Sequence, residues 1–197
     1  MKFKSDIDID FGDRTQILKA IKHTPASILR DGTLIQHNTG VYVTPIPVDP
    51  EKGIASIDHE AADERGYIKL DLLNVNLYQS VRDEAHLTAL MQTEPVWDLF
   101  NTEQAFFEEL IHVKGHWNLL KRMPEPVDSI PRLAMFLSVI RPAKRHLAGK
   151  TWAEVATEVW KKPDDNSYYF KKSHAIAYAN LVLVNMNLLA ELAHKGD

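Results

Sequence analysis

Ser5-Asp6-Ile7-Asp8-Ile9-Asp10-Phe11 alternates acidic and apolar residues, and its reading decides the fold. A period of two is the signature of a half-buried strand. Asp6, Asp8 and Asp10 then share one face, while Ile7, Ile9 and Phe11 share the other and pack on a core. The acidic face needs a reason, because like charges two residues apart repel and Asp is disfavoured in strands. A row of carboxylates on a core-anchored strand suits a divalent cation. Mg²⁺ takes one or two carboxylates and leaves its other positions to water and phosphate oxygens. The plain alternative is a solvated edge strand.

A second strand, Tyr67-Ile68-Lys69-Leu70-Asp71-Leu72-Leu73, places Tyr67, Lys69 and Asp71 on one face. Asp71 is a lone carboxylate among apolar residues, and an unpaired buried charge is expensive. A metal held by Asp6 and Asp8 would be its partner. Lys69 suits a phosphate contact, or a salt bridge to one of the acids.

The chain has 197 residues, 45% of them hydrophobic and 25% charged, within the range of one globular domain or a core with an appended subdomain. It has no cysteine, which excludes disulfides and thiolate metal sites and fits a reducing cytosol. The N-terminus carries no apolar signal-peptide core, and the apolar run Ala175 to Val184 is short for a membrane span, so no membrane partner is expected. Net charge is −4, yet Arg141 to His174 holds eight Lys/Arg against four acids. An acidic front and a basic back suit a protein that holds both metal and phosphate; solvated helix faces are the other reading.

The remaining patterns predict an α+β chain. A helix over 14–23 follows Asp13 as cap. Strands are predicted at 26–29, 33–35 and 41–43, with a hairpin at Arg30-Asp31-Gly32 and a further strand at 54–57. From about residue 76 the pattern is helical: Leu77 to Leu90, Thr102 to His112, Trp117 to Met123, a helix capped by Asp128 or Ser129, Trp152 to Trp160, and Ser173 to Ala193. In the last, His174, Ala177, Tyr178, Leu181, Asn185, Leu188 and Leu192 share one face. The division falls between 1–75, carrying the acidic strands, and a helical part over 76–197. The nine histidines carry no His-Glu-x-x-His motif, and no zinc site is read.

Several stretches, in order, resemble one family. Ser5 to Phe11 resembles the Pro-Asp-x-Asp-x-Asp-Phe strand of the C-family bacterial replicative DNA polymerases, the DNA polymerase III alpha subunits. Gly66-Tyr-Ile-Lys-Leu-Asp-Leu-Leu73 is similar to their Lys-hydrophobic-Asp strand, and Phe170-Lys-Lys-Ser-His-Ala-Ile-Ala-Tyr-Ala179 to their Phe-Asn-Lys-Ser-His helix start. Gln36-His-Asn-Thr-Gly-Val-Tyr-Val-Thr-Pro45 and Ser138-Val-Ile-Arg-Pro142 resemble two further family segments. The resemblance implies a reduced palm and fingers: a small mixed sheet like a polymerase-β-like nucleotidyltransferase palm, then an all-helical segment. It implies two Mg²⁺ or Mn²⁺ ions on Asp6, Asp8 and Asp71, with Asp10 structural. It implies nucleotidyl transfer from a dNTP to the 3′-hydroxyl of a DNA primer-template. Lys69, His37, Arg141, Lys144, Lys172, Ser173 and His174 are the implied nucleotide or DNA contacts. A bacterial cytosol or a phage-infected host is the implied setting.

The departures are also plain. Only Met1-Lys-Phe-Lys4 precedes the first acidic strand, where the family has a Gly-Ser motif that holds the triphosphate. Arg-Pro-Gly-Pro has become Arg141-Pro-Ala-Lys144, and a family glycine is Thr39. Two expectations follow: a polymerase core completed by a partner chain, or a non-catalytic module that binds DNA or a replisome protein.

Overall fold

The computed structural model describes residues 7–164 and 169–195. The architecture is mixed α+β, a four-stranded sheet followed by a run of helices. The chain divides into two compact units, one ending at Val81 and the other starting at Arg82.

The first unit holds β1 (Ile7–Phe11), β2 (Thr24–Arg30), β3 (Thr33–Tyr42) and β4 (Leu70–Asn74), in the spatial order β1-β4-β3-β2. β1 and β4 are parallel; the other pairs are antiparallel. Asp13 accepts from the Thr15 N–H at 2.9 Å and starts α1 (Arg14–Ala20), as its residue type predicts. α1 lies against β4, and the Arg14 guanidinium donates to the Leu72 carbonyl at 2.9 Å. β2 and β3 form the expected hairpin. Its central residues have positive φ, 50° at Asp31 and 77° at Gly32, as a two-residue turn matched to strand twist requires.

Three expectations change here. β3 is one strand rather than two: between the pairs Pro25–Val41 and Ser27–Gln36, Ala26 alone faces His37 to Gly40. His37 to Gly40, which the sequence leaves between or within the strands at 33–35 and 41–43, lies within one strand as a bulge. Ile54 to Ile57 supplies only isolated bridges, Val48–Ala55 and Ser27–Asp58. The apolar face of β1 is incompletely covered, with Ile7 and Ile9 each 39% exposed. β1 is an edge, whereas Leu72 on the neighbouring β4 is 2% exposed. The unit's small core is Ala26, Tyr42, Ile46, Ala55 and Ala62, with Ile57 and Tyr67 packed on it. α2 (His59–Glu64), capped by the Asp58 carboxylate, delivers Ala62 to this core.

The second unit contains α3 (Glu84–Gln92), α4 (Trp97–Thr102), α5 (Gln104–Glu109), α6 (Trp117–Leu120), α7 (Ile130–Val139), α8 (Trp152–Glu158) and α9 (Lys172–Lys195). The helix expected over Leu77 to Leu90 is broken. A 3-10 turn at Asn76–Ser80 ends it, and Asp83 caps α3 afresh by accepting from the His86 N–H. The helix expected over Thr102 to His112 is the shorter α5, and α4, which the sequence reading did not place, precedes it. The centre is α9 packed on α7 and α3. Phe100, Phe107 and Phe136 are fully buried edge-to-face partners, so these aromatics are core.

α9 does not bury a single stripe. Every residue from Leu181 to Leu188 is buried, while Ala177 and Leu192 of the expected face are exposed. Two asparagines in this stretch are satisfied by other helices' ends: the Asn185 side-chain oxygen accepts from the Ile111 N–H at 2.8 Å, and the Asn187 amide donates to the Leu90 and Thr93 carbonyls at 2.8 and 2.9 Å. Among the described residues α9 alone is long and apolar enough to cross a bilayer, and its burial is that of a core helix.

Candidate functional site

The sheet register brings two of the predicted acids together. β1 and β4 run parallel with Asp8 directly opposite Asp71 and Asp10 opposite Leu73. Paired residues on adjacent strands project from the same face, so Asp8 and Asp71 share one side of the sheet. Asp6 lies outside the described residues. Asp8 is exposed at the sheet edge, whereas Asp71, one strand inward, is only 7% exposed. Among the described residues, no three His, Asp or Glu side chains form a group that could hold a metal.

Asp71 is held on both oxygens. The Thr39 hydroxyl donates to Oδ1 at 2.7 Å, and the Lys69 ammonium is hydrogen-bonded to Oδ2. Lys69 thus makes the salt bridge that the sequence offered as the alternative to a phosphate contact. Burial pushes the Asp71 carboxyl up, but the bonds from Lys69 and Thr39, the Lys69 charge and the nearby His37 outweigh it and hold the group below the usual carboxylate range. Asp10 moves the other way, raised by burial and then by the charge of Asp8.

The bulge in β3 is what carries Thr39 to Asp71. Gly40 pairs with Asp71 across the sheet. His37 Nδ1 accepts from the Gly40 N–H at 2.9 Å and the Thr39 N–H at 3.3 Å, which satisfies the bulge's free amides. An accepting Nδ1 makes His37 the neutral Nε2–H tautomer, so its 3.8 Å approach to Asp71 Oδ1 is proximity and not an ion pair. Burial lowers the His37 pKa, with Lys69 adding to it against the opposing pull of Asp71. A Cβ on Gly40 would lie 2.7 Å from Lys69 Cδ and 3.0 Å from His37 Nδ1, so glycine is required for this close approach. His59 lies beside His37 with ring centroids 5.2 Å apart and the rings tilted by 60°, and its Nδ1 is buried without a partner.

The other predicted contacts lie in the second unit and do not form one cluster. The Arg141 guanidinium sits 4.8 Å from the Phe170 ring centroid, and Phe170 in turn stacks on His174. Lys144 is corrected: it is 6% exposed, and its ammonium donates to the Glu158 carbonyl at 2.8 Å, where it holds the end of α8. Its burial leaves little of the ammonium open to a phosphate. Lys172 opens α9 and lines an apolar pocket with Met135 and Trp160, while Ser173 is exposed.

The sequence reading missed Thr39 as a ligand of Asp71, having marked it only as a departure from a family glycine. It also passed over His112 and His116, which are four residues apart. They do not share a helix face, since His112 has φ 65° and both lie in the loop between α5 and α6.

Comparison with known proteins finds no family model that matches this chain, no characterised protein similar to it and no similar solved structure.

Proposed function

We propose that this chain is a reduced nucleotidyltransferase core of the C-family polymerase type, which extends a primer 3′-hydroxyl with a dNTP and releases pyrophosphate. The observation that carries the reading is the parallel pairing of Asp8 with Asp71 on one face of a mixed sheet. The donor set fits the ion: carboxylate oxygens on adjacent strands suit a hard divalent cation such as Mg²⁺ or Mn²⁺. Asp8 and Asp71 would hold it, with Asp6 as a third ligand. When bound, such ions lower the pKa of the attacking hydroxyl and steady charge on the transferred phosphoryl group. The chain's own residues prepare the site. Thr39 fixes the Asp71 carboxylate, Gly40 lets Lys69 reach it, and Lys69 keeps it ionised. Lys69, now held by Asp71, would be the chain's cation for a phosphate oxygen there. A reducing cytosol, bacterial or phage-infected, suits both the substrates and the absence of cysteine.

One observation favours the second reading, a non-catalytic module that binds DNA or a replisome protein. Asp71 already has a counter-ion in Lys69, so its charge is balanced without a metal. Primer extension with Mg²⁺ or Mn²⁺, with and without a completing polypeptide, separates the two. The enzyme reading expects incorporation that falls to background in Asp8→Asn and in Asp71→Asn. Incorporation indifferent to Asp8→Asn would overturn it.

A further inference from the structure

The loop between α5 and α6, α6 itself and the 3-10 turn at Pro142–Leu147 border a second site, an open surface hollow of the helical unit. It is a pocket of about 280 Å³ lined by Gly115, His116, Asn118, Leu119, Arg122 and Arg145. No carboxylate lines it. Arg122 and Arg145 are exposed, and among the described residues neither has an acidic partner. Arg145 is oriented by donating to the Ile140 carbonyl at 2.9 Å, and the Arg122 side chain makes no hydrogen bond there. Arg141 adds a third positive charge nearby, with its Nε buried and without a partner. The one acid whose field reaches His116 is Glu108, and its carboxylate is engaged by the Gly115 N–H at 2.7 Å.

The site is therefore a cationic concavity, two guanidinium groups with one acid at its border, in a chain of net charge −4. Burial and then the surrounding arginines hold His116 and His112 below the usual imidazole range. A field of this sign works against a cation. It attracts an anion, and two guanidinium forks with a side-chain amide match tetrahedral oxyanions better than a single carboxylate, which would leave one fork unpaired. The volume lies near the lower end of small-ligand sites, about 300–1,000 Å³.

We infer that this pocket binds phosphate groups, through Arg122, Arg145 and Asn118. Two sources present that chemistry, the triphosphate of a nucleotide and the backbone of a single-stranded nucleic acid. The inference does not rest on the metal site, and its test runs in EDTA. Inorganic triphosphate, dATP, an oligo-dT and poly-glutamate are each titrated into the whole protein by calorimetry. Arg122→Gln combined with Arg145→Gln is expected to weaken triphosphate binding at least about tenfold, given what charge-assisted hydrogen bonds contribute. Arg122→Gln alone gives a smaller loss, and because that side chain makes no internal bond the fold is kept. Lys19→Gln with Lys22→Gln removes the same charge elsewhere and leaves binding unchanged. Equal retention of triphosphate and dATP assigns the pocket to a free nucleotide. Tighter oligo-dT binding, with a salt slope that falls by about 1.4 in the double variant, assigns it to a nucleic-acid backbone. Undetectable phosphate binding, binding unaffected by the double substitution, or equal affinity for poly-glutamate overturns the inference.

Discussion

At Asp71 two effects oppose each other, and their balance can be tested. Burial favours the neutral acid; Lys69 and Thr39 favour the carboxylate and prevail. A depressed folded-state pKa means that the unfolded chain binds the proton more readily. The stability Asp71 contributes is thus present above about pH 4, its unfolded range, and fades as pH falls through the lower folded value. Lys69→Met removes the counter-ion and leaves a nearly buried charge unpaired. The expected cost in EDTA is about 2 kcal/mol, below the figure for a fully buried pair because both partners keep some solvent contact. Millimolar Mg²⁺ should raise the melting temperature of Lys69→Met more than that of the wild type. An equal rise in both would argue that no cation shares Asp71.

His112 gives a second pH signature. Burial, with Arg141 adding to it, lowers its pKa to about 4. Its imidazole packs on Tyr178 with ring centroids 4.3 Å apart, and its backbone φ is 65°. Because the folded value lies below the unfolded one, near 6.5, stability is full above that range and is lost as pH falls toward about 4. His112→Asn keeps a residue type that tolerates positive φ and removes the titration. Denaturation midpoints at pH 7.5 and 4.5 should differ less in this variant than in the wild type.

Among elements, the β3 bulge sets the geometry around Asp71. Gly40→Ala forces a Cβ against Lys69 and His37, so one of them must move. Overpacking of this kind costs about 1–3 kcal/mol. It should also separate Lys69 from Asp71, which NMR titration of the carboxylate would report as a rise in its pKa. α8 is stabilised by a complete capping box: the Thr151 hydroxyl accepts from the Glu154 N–H, and the Glu154 carboxylate accepts from the Thr151 N–H. Thr151→Ala should cost about 1 kcal/mol, read as a shift in the denaturation midpoint. In α9, Asn187→Ala leaves the Leu90 and Thr93 carbonyls without their donor at a cost of about 1–3 kcal/mol.

Which elements were legible in the sequence follows from how local their causes are. Asp13 caps α1 and Asp31-Gly32 turns the hairpin through bonds and dihedrals within a few residues, so residue type alone announced them. The break before α3 was equally local, at Asp83, but the apolar spacing of Leu77 to Leu90 ran across it and masked it. The exposure of Ile7 and Ile9 was not legible, because it depends on β4 being inserted between β1 and β3. The pairing of Asp8 with Asp71 was half legible. Parity gave the face, and only the register of two strands sixty residues apart in sequence gave the contact. Lys144 reads as a surface lysine in any window of sequence, and its burial under α8 is purely tertiary.

For the molecule as a whole, the two units differ in when their parts are made. The strands of the first are complete by Asn74, with hairpin and sheet formed by early residues. The second unit's core has no centre until α9 exists, because α7 and α3 both pack on that helix. Leu181 to Leu188 are the residues around which the earlier helices close. During synthesis, which proceeds from the N-terminus at about 5–20 residues per second, α3 and α7 wait with the faces that pack on α9 exposed. The all-round burial of Leu181 to Leu188 thus makes α9 a timing element: nascent chains arrested before residue 172 should resist protease over the sheet and be cut more readily in the helical part.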